Sequence, residues 1–368
     1  MTKAKPFDIP KREVWEAFEH VKANQAAAGV DGQSIQDFEN RLADNLYKLW
    51  NRLSSSGYMP PVRRVDIPKA NGGTRPLGIP TVADRIAQEV VRRYLESPVE
   101  PAFHPDSYWY RRNRSAIDAI RTARQRCWRY DWVLDIDIKG FFNSIDHELL
   151  LRAVRKHTKC AWVQLYIEHW LKALVERERG TPQGRVISPL LTNLFLHYVF
   201  DIWLEWGFPG VPFERYADDI ICHCRSERQA VALRATLQRR FAECGLELHP
   251  DKTKVVYCKD ANRKGNYPTI RFDFLGYTFR PRLANRGWAV RAFVSPGSQS
   301  EGVKGDPSGN SGMVPPDPER QGAERLGPNV QPVHPRLDQL LQPLLQIGAL
   351  FDSFAHRRPL APMGLAKV

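Results

Sequence analysis

"FERYADDIICHC", Phe213–Cys224, sets two adjacent carboxylates, Asp218 and Asp219, between two apolar runs in what reads as a hairpin. Like charges in apolar surroundings raise one another's pKa unless a cation compensates them. The pair is therefore either a solvated turn or a place where something positive sits. A second stretch, "YDWVLDIDIKGFF" (Tyr130–Phe142), reads as a strand with Leu134, Ile136 and Ile138 on one face and Val133, Asp135 and Asp137 on the other. One face is expected to be core and the other acidic. If the two strands lie side by side in one antiparallel sheet, Asp137 joins Asp218 and Asp219. Three hard oxygen donors of this kind suit Mg²⁺, which completes its shell with water and substrate phosphates. Two such ions about 3.5–4 Å apart clamp the attacking and leaving oxygens of an in-line phosphoryl displacement.

The rest of the chain fits a polyanionic substrate. Its 368 residues, 42% hydrophobic, are enough for two or three domains with real cores. With 54 Lys+Arg against 41 Asp+Glu the net charge is +13, which favours nucleic acid over an anionic membrane surface and either over a neutral metabolite. The opening residues carry no apolar core of a signal peptide, and no later run approaches a bilayer span, so a cytoplasmic protein is expected. Six cysteines without tight pairing fit reduced thiols. Cys222-His223-Cys224 lacks the gap of a zinc site and reads as strand.

Working outward, Pro10–Leu53 reads as two amphipathic helices around a loop with Gly29 and Gly32. "PVRRVDIPKANGGTRPLGIPT", Pro61–Thr81, reads as a hairpin whose flexible tip is bracketed by Lys69 and Arg75, a point charge and a bidentate fork able to close on a triphosphate. Ala83–Leu95 has helical spacing, and Asp146 is placed to cap a helix through Leu150 and Val154. At Gly180–Leu204 a loop with Gly180, Gln183 and Gly184 leads to Ser188 as N-cap and Pro189 at the first helical position. A helix over Arg228–Cys244 and two short strands, "KTKVVYC" and "RFDFLGYTFRP", follow. Each piece alone also fits a solvated basic hairpin, a plain turn or an ordinary capped helix. Their order is the stronger signal.

That order, "PKANGGTRPLGIPT", "DIDIKGFFNSIDH", "GTPQGRVISPLLTN", "YADD", "LHPDKTK" and "FLGYTF", resembles the reverse-transcriptase blocks of bacterial group II intron proteins, which combine a polymerase with an RNA-splicing maturase. The resemblance covers about Pro10–Arg282. It implies an α+β right-hand polymerase, an antiparallel palm sheet backed by helices and joined to fingers. Asp137, Asp218 and Asp219 would hold two Mg²⁺ ions, and Lys69 and Arg75 would hold the incoming triphosphate. Gln183 and Tyr216 would belong to the substrate-binding set, with Phe142 as the gate against a ribose 2′-OH. Phe274, Leu275, Gly276 and Tyr277 would form the primer grip. Arg185 stands where a second Gly is usual, and Asn143 where Asp is frequent. The implied partners are an RNA template, intron RNA above all, a DNA primer and deoxynucleoside triphosphates; homodimerisation stays open.

The expected domains are an N-terminal helical extension (1–58), fingers and palm (59–294) and a tail (295–368). The tail is rich in Pro, Gly, Gln and Ser, and the thumb and maturase signature resembling "GWINYY" is missing. Back-translated with permitted codons and reread one nucleotide later, Asn329–Phe351 gives "FNPVIRGWINYYSRFYKSALYS". Ser295–Val368 is therefore expected to be out-of-frame translation following a one-nucleotide insertion or its equivalent near Val294, with a natural low-complexity, disordered tail as the alternative. Three rivals stay open: a non-catalytic RNA-binding splicing factor, an inactive truncated remnant, and a retron or defence-type reverse transcriptase.

Overall fold

The computed structural model describes residues 5–24, 28–59, 64–68, 74–78, 80–173, 179–181, 185–260, 262–283 and 290–296. All of them belong to one unit, Met1–Pro315. Helices α1 (Lys11–Ala23), α2 (Ile35–Glu39) and α3 (Leu42–Ser54) come first, so the expected helix pair carries a third, short helix between its members. That helix starts at Ser34, which caps it in a reciprocal box with Asp37. Strands β1 (Arg64–Pro68) and β2 (Thr74–Gly78) form the expected hairpin, Pro68 opposite Thr74 and Ile67 opposite Arg75. The 18-residue α4 (Val82–Val99), capped by Thr81, packs against α1 and runs through the middle of the helical layer. Gly29 lies against its start. A Cβ there would come within 2.7 Å of the Thr81 Cα, so the loop before α2 touches the hairpin exit only because glycine has no side chain.

After α5 (Ala116–Cys127), β3 (Trp132–Ile136), the single turn α6 (Phe141–Ser144), α7 (His147–His157) and α8 (Ala161–Lys172) follow. Asp146 caps α7 as expected, its Oδ1 accepting from Leu149 N. Next comes α9 (Ser188–Leu196), which continues through a π-helical turn at His197–Asp201 into α10 (Ile202–Gly207). This helix starts one residue earlier than expected: Ile187 is its N-cap, and Ser188 is inside it. The Ser188 hydroxyl accepts instead from Thr181 Oγ1 at 3.1 Å, tying the preceding loop to the helix.

Strands β4 (Phe213–Tyr216) and β5 (Asp219–Cys224), helix α11 (Glu227–Glu243) and β6 (Lys254–Tyr257) complete a four-stranded antiparallel sheet of order β4-β5-β3-β6. The stretch Arg271–Pro281 is not one strand but two, β7 (Phe272–Phe274) and β8 (Tyr277–Leu283), which with β9 (Val290–Pro296) make a three-stranded sheet. The expected boundary at Val294 falls inside β9; from residue 297 onward the expected tail lies outside the described residues.

The four-stranded sheet is covered on both sides. Leu134, Ile136 and Cys222 belong to the main core with α4, α8 and α9. Val133, Ile221 and Val256 join a second cluster with α5, Phe272, Phe274 and Phe279. The face expected to be simply acidic is therefore core at Val133 and turns polar only at its open end, Asp135 and Asp137. The architecture is the expected α+β arrangement of an antiparallel palm sheet backed by helices, with a fingers hairpin before it.

Candidate active site

Asp137 directly follows β3, and β3 pairs with β5 as far as Ile136 opposite Ile220. Asp219, the first residue of β5, is therefore next to the end of β3. Asp218 occupies the two-residue turn between β4 and β5, closed by the pair Tyr216–Asp219. Ala217 in that turn has φ +58°, a sign that favours glycine in a tight hairpin. The backbone of Asp137 is pinned from the opposite side: His249 N donates to its carbonyl at 2.8 Å, and Thr253 Oγ1 donates to it at 3.3 Å. Lys252 Nζ lies 3.4 Å from its Oδ2.

The carboxylates affect one another's protonation. Burial raises Asp219 to about 6, with Asp218 and Asp137 adding to the shift and Lys252 opposing it. Asp218 is raised by burial and by Asp137. Asp135 is raised to about 7 by burial, with Lys254 opposing and Asp219, Asp137 and Asp273 adding. Among the described residues no group of three or more His, Cys, Asp or Glu is gathered into a ready metal cage. The donor chemistry nevertheless fits a divalent cation, because mutually destabilised carboxylates gain most from one, and Mg²⁺ takes the rest of its shell from water and substrate phosphates.

These shifts carry a pH prediction for the metal-free protein. Asp135 holds its proton to higher pH when folded than when unfolded, so its contribution to stability falls as pH rises from about 4 to about 7. Asp135→Asn removes that fall. Its stability relative to the parent, measured by urea unfolding in chelator, should rise between pH 5 and pH 8; a constant difference would refute the assignment.

A buried polar frame holds the turn from below. Arg215 is fully buried and forks onto Asp201, Nε to Oδ1 at 2.7 Å and Nη2 to Oδ2 at 2.6 Å. The same guanidinium donates to Asn193 Oδ1 at 3.0 Å, Ser107 Oγ at 2.8 Å and the Ala217 carbonyl at 3.4 Å. Asp201 belongs to the π-helical turn, a local irregularity of the kind found where a helix must re-aim a side chain. Beside it, Arg126 joins α5 to β4 through the Phe213 carbonyl and Glu214 Oε1, both at 2.7 Å. Glu214 in turn meets His223 at 2.6 Å, which explains the histidine between two strand cysteines. None of these frame residues stands out as a site residue in the sequence; the one available signal is a charged pair, Glu214-Arg215, inside an apolar strand.

The other expected site residues divide by position. Phe142 is partly buried near Trp109, ring centroids 6.5 Å apart, and its carbonyl accepts from Thr181 N at 2.8 Å. It thus adjoins the start of the loop that carries Gln183. Gln183 itself and Lys69 lie outside the described residues, and Arg75 is placed only by its register in β2. Arg185 is buried; burial lowers its pKa and Asp84 opposes the shift, so its side chain is turned toward the interior of the helical layer. Asp84 there also accepts from Tyr58, Gln88 and Trp170 at 2.8–2.9 Å. Tyr216 is partly buried against the second core cluster. Phe274–Tyr277 form a tight hairpin in which Leu275 and Gly276 have φ +53° and +78°. A Cβ on Gly276 would meet nothing within 4 Å, so Gly276→Ala tests backbone strain alone. It should cost about 1 kcal/mol by urea unfolding.

Residues 67–279 match the family model described as reverse transcriptase (RNA-dependent DNA polymerase). The chain is 33% identical over 277 residues to Protein YkfC of Escherichia coli, a match covering 63% of this chain and 73% of that protein. It is 35% identical over 192 residues to the group II intron-encoded protein LtrA of Lactococcus lactis subsp. cremoris, covering 49% of this chain and 32% of LtrA. A match of 22% identity over 192 residues extends to nuclear intron maturase 4, mitochondrial, of Arabidopsis thaliana, covering 50% of this chain and 23% of that protein. The chain thus spans about a third or less of the two intron proteins' own length.

Proposed function

This chain belongs to the reverse transcriptases, the RNA-dependent DNA polymerases, with relatives among group II intron-encoded proteins and intron maturases, and from that premise we propose that it extends a DNA primer along an RNA template by nucleotidyl transfer centred on Asp137, Asp218 and Asp219. The observation that carries the reading is the register of β3 against β5, which sets Asp137 beside the Asp218–Asp219 turn inside the family-matched span. Two divalent ions bound there would lower the pKa of the attacking primer 3′-OH and neutralise charge on the leaving pyrophosphate.

The chain's own groups have distinct tasks in this reading. Asp137, Asp218 and Asp219 orient the reacting groups, and Lys252 limits the repulsion around Asp137. Lys69 and Arg75 steady the triphosphate, and Gln183 and Tyr216 belong to the nucleotide-binding set. Phe142 stands against a ribose 2′-OH, and the Phe274–Tyr277 hairpin supports the primer end. Intron RNA is the proposed natural template, on the strength of what the relatives are named. Among the described residues no helix is long and apolar enough to cross a membrane.

The test is RNA-templated primer extension with deoxynucleotides and Mg²⁺, run beside a version whose frame is restored after Val294. Extension by both supports the reading for this chain. Extension by the restored version alone would assign the activity to the longer protein, and extension by neither would overturn the reading.

A further inference from the structure

Beside Asp137 a cleft of about 270 Å³ opens between β3, β6 and β7, and we propose that Lys254 and Arg271 on its wall form a phosphate-binding site that works alongside the three carboxylates. The proposal rests on the polymerase reading above.

Three cations, Lys252, Lys254 and Arg271, line this cleft together with Asp135, Asp137 and Asp219. They arrive from different elements. Lys252 comes from the turn before β6, Lys254 opens β6, and Arg271 immediately precedes β7. The register of β6 against β3 sets Lys254 directly opposite Asp135, two residues before Asp137, so it shares the open end of the sheet with the carboxylates. Lys252 is engaged by Asp137 at 3.4 Å. Lys254 and Arg271 are exposed, and neither has an ion-pair partner among the described residues, although Asp135 and Asp273 line the same concavity. Thr278 donates to Asp273, giving that carboxylate a partner of its own.

Exposed cations cost little wherever they lie, but convergence of two distant chain segments on one concavity matches a ligand with several anionic oxygens. An ammonium and a guanidinium fork are the donors that phosphate takes best. Nucleotidyl transfer places phosphates on both sides of the reacting centre. In the proposed reading the fingers hairpin takes the incoming triphosphate. The cleft lies instead between the carboxylates and the strand leading into the Phe274–Tyr277 hairpin, so the phosphate it meets is another one. Two sources share that chemistry: a phosphodiester of the primer near its 3′ end, and the pyrophosphate released at each turnover.

The test uses the full chain with Lys254→Gln, Arg271→Gln and the double variant. Both side chains are exposed, so folding should survive, and circular dichroism checks that it does. Binding of a labelled DNA-primer/RNA-template duplex is measured by fluorescence anisotropy across a salt series. Removal of the primer's terminal nucleotide is measured across concentrations of inorganic pyrophosphate. If the cleft holds the primer backbone, the double variant binds the duplex about tenfold more weakly, with a salt slope shallower by about one or two. Its pyrophosphate dependence then stays unchanged. If the cleft holds pyrophosphate, duplex binding stays and the half-saturating pyrophosphate concentration rises about tenfold. In either case Lys254→Arg should restore the lost binding, which a merely structural position on β6 would not require. A parent that binds and extends, beside a double variant unchanged in both assays, overturns the site. A parent that neither binds the duplex nor extends it overturns this proposal, and the polymerase reading falls with it when the frame-restored version also fails to extend.

Discussion

Asp218→Ala should lower RNA-templated extension by on the order of 10³-fold or more, because in the proposed reading it removes a metal ligand that acts on the transition state and leaves nothing of similar chemistry in its place. The residue sits in a two-residue turn, so the substitution empties no core space. Burial and Asp137 raise its pKa, so removing its charge relieves repulsion in the metal-free protein, and Asp218→Ala should be at least as stable as the parent without metal. Affinity for RNA should stay within about twofold, since it arises from the +13 net charge and not from a carboxylate. Loss of extension with retained binding and stability, read by primer extension, anisotropy and urea unfolding, separates a chemical role from a structural one. Retained extension would refute the assignment of Asp218.

Arg215→Ala should produce the largest loss of stability. Removing one partner from a buried ion pair typically costs about 3–5 kcal/mol, because the other charge is left without compensation. Here the abandoned group is Asp201, fully buried and facing an almost equally buried His197. In the parent, burial pushes Asp201 upward, yet the Arg215 guanidinium holds it below the usual carboxylate range. That contribution is present above the unfolded pKa of aspartate and is lost as pH falls through the lower folded value. In Arg215→Ala the upward push of burial is opposed by His197 alone, and Asp201 should take up a proton in the folded state more readily than it does in the parent. The stability lost should therefore be larger at pH 8 than at pH 5. Arg215→Lys should lie between the two, since an ammonium supplies charge but cannot fork onto both carboxylate oxygens. Urea unfolding at the two pH values measures all of this, and a loss below about 1 kcal/mol would show that the buried network is dispensable. Extension should fall as well, because Arg215 also donates to the carbonyl of Ala217, inside the turn that presents Asp218.

The parts legible in the sequence were those encoded locally. The carboxylate pair between two apolar runs marked the hairpin, Asp146 marked a helix start, and the Pro61–Thr81 stretch marked two strands that pair as β1 and β2. The carboxylate pairing was inferable because it needed one assumption, that two apolar strands lie side by side. What could not be read was set by partners far away in the chain. Arg215 looks like a surface cation until Asp201, Asn193 and Ser107 are seen around it. Arg271–Pro281 reads as one strand because Leu275-Gly276 lacks the Asn-Gly or Asp-Gly signature of a tight hairpin, and the bend depends on Leu275 accepting a positive φ. The second core under Val133 was hidden for a related reason: a strand covered on both faces does not alternate cleanly. Arg185, which would crowd a tight loop if it faced the nucleotide, instead turns inward toward a charge that only the fold brings near it.

The strand order β4-β5-β3-β6 has a consequence for when activity can appear. Asp137 is synthesised well before Asp218, and among the described residues the helices α6 to α10 begin between them. While β5 is missing, β3 has no partner on that side, and Asp137 has only Asp135 of its own strand for acidic company. Pairings between such distant segments form late in folding, because the loop entropy is lost before the contacts reward it. A ribosome-bound chain that ends before β5 therefore lacks the carboxylate cluster, and in the proposed reading it cannot begin copying the RNA that encodes it.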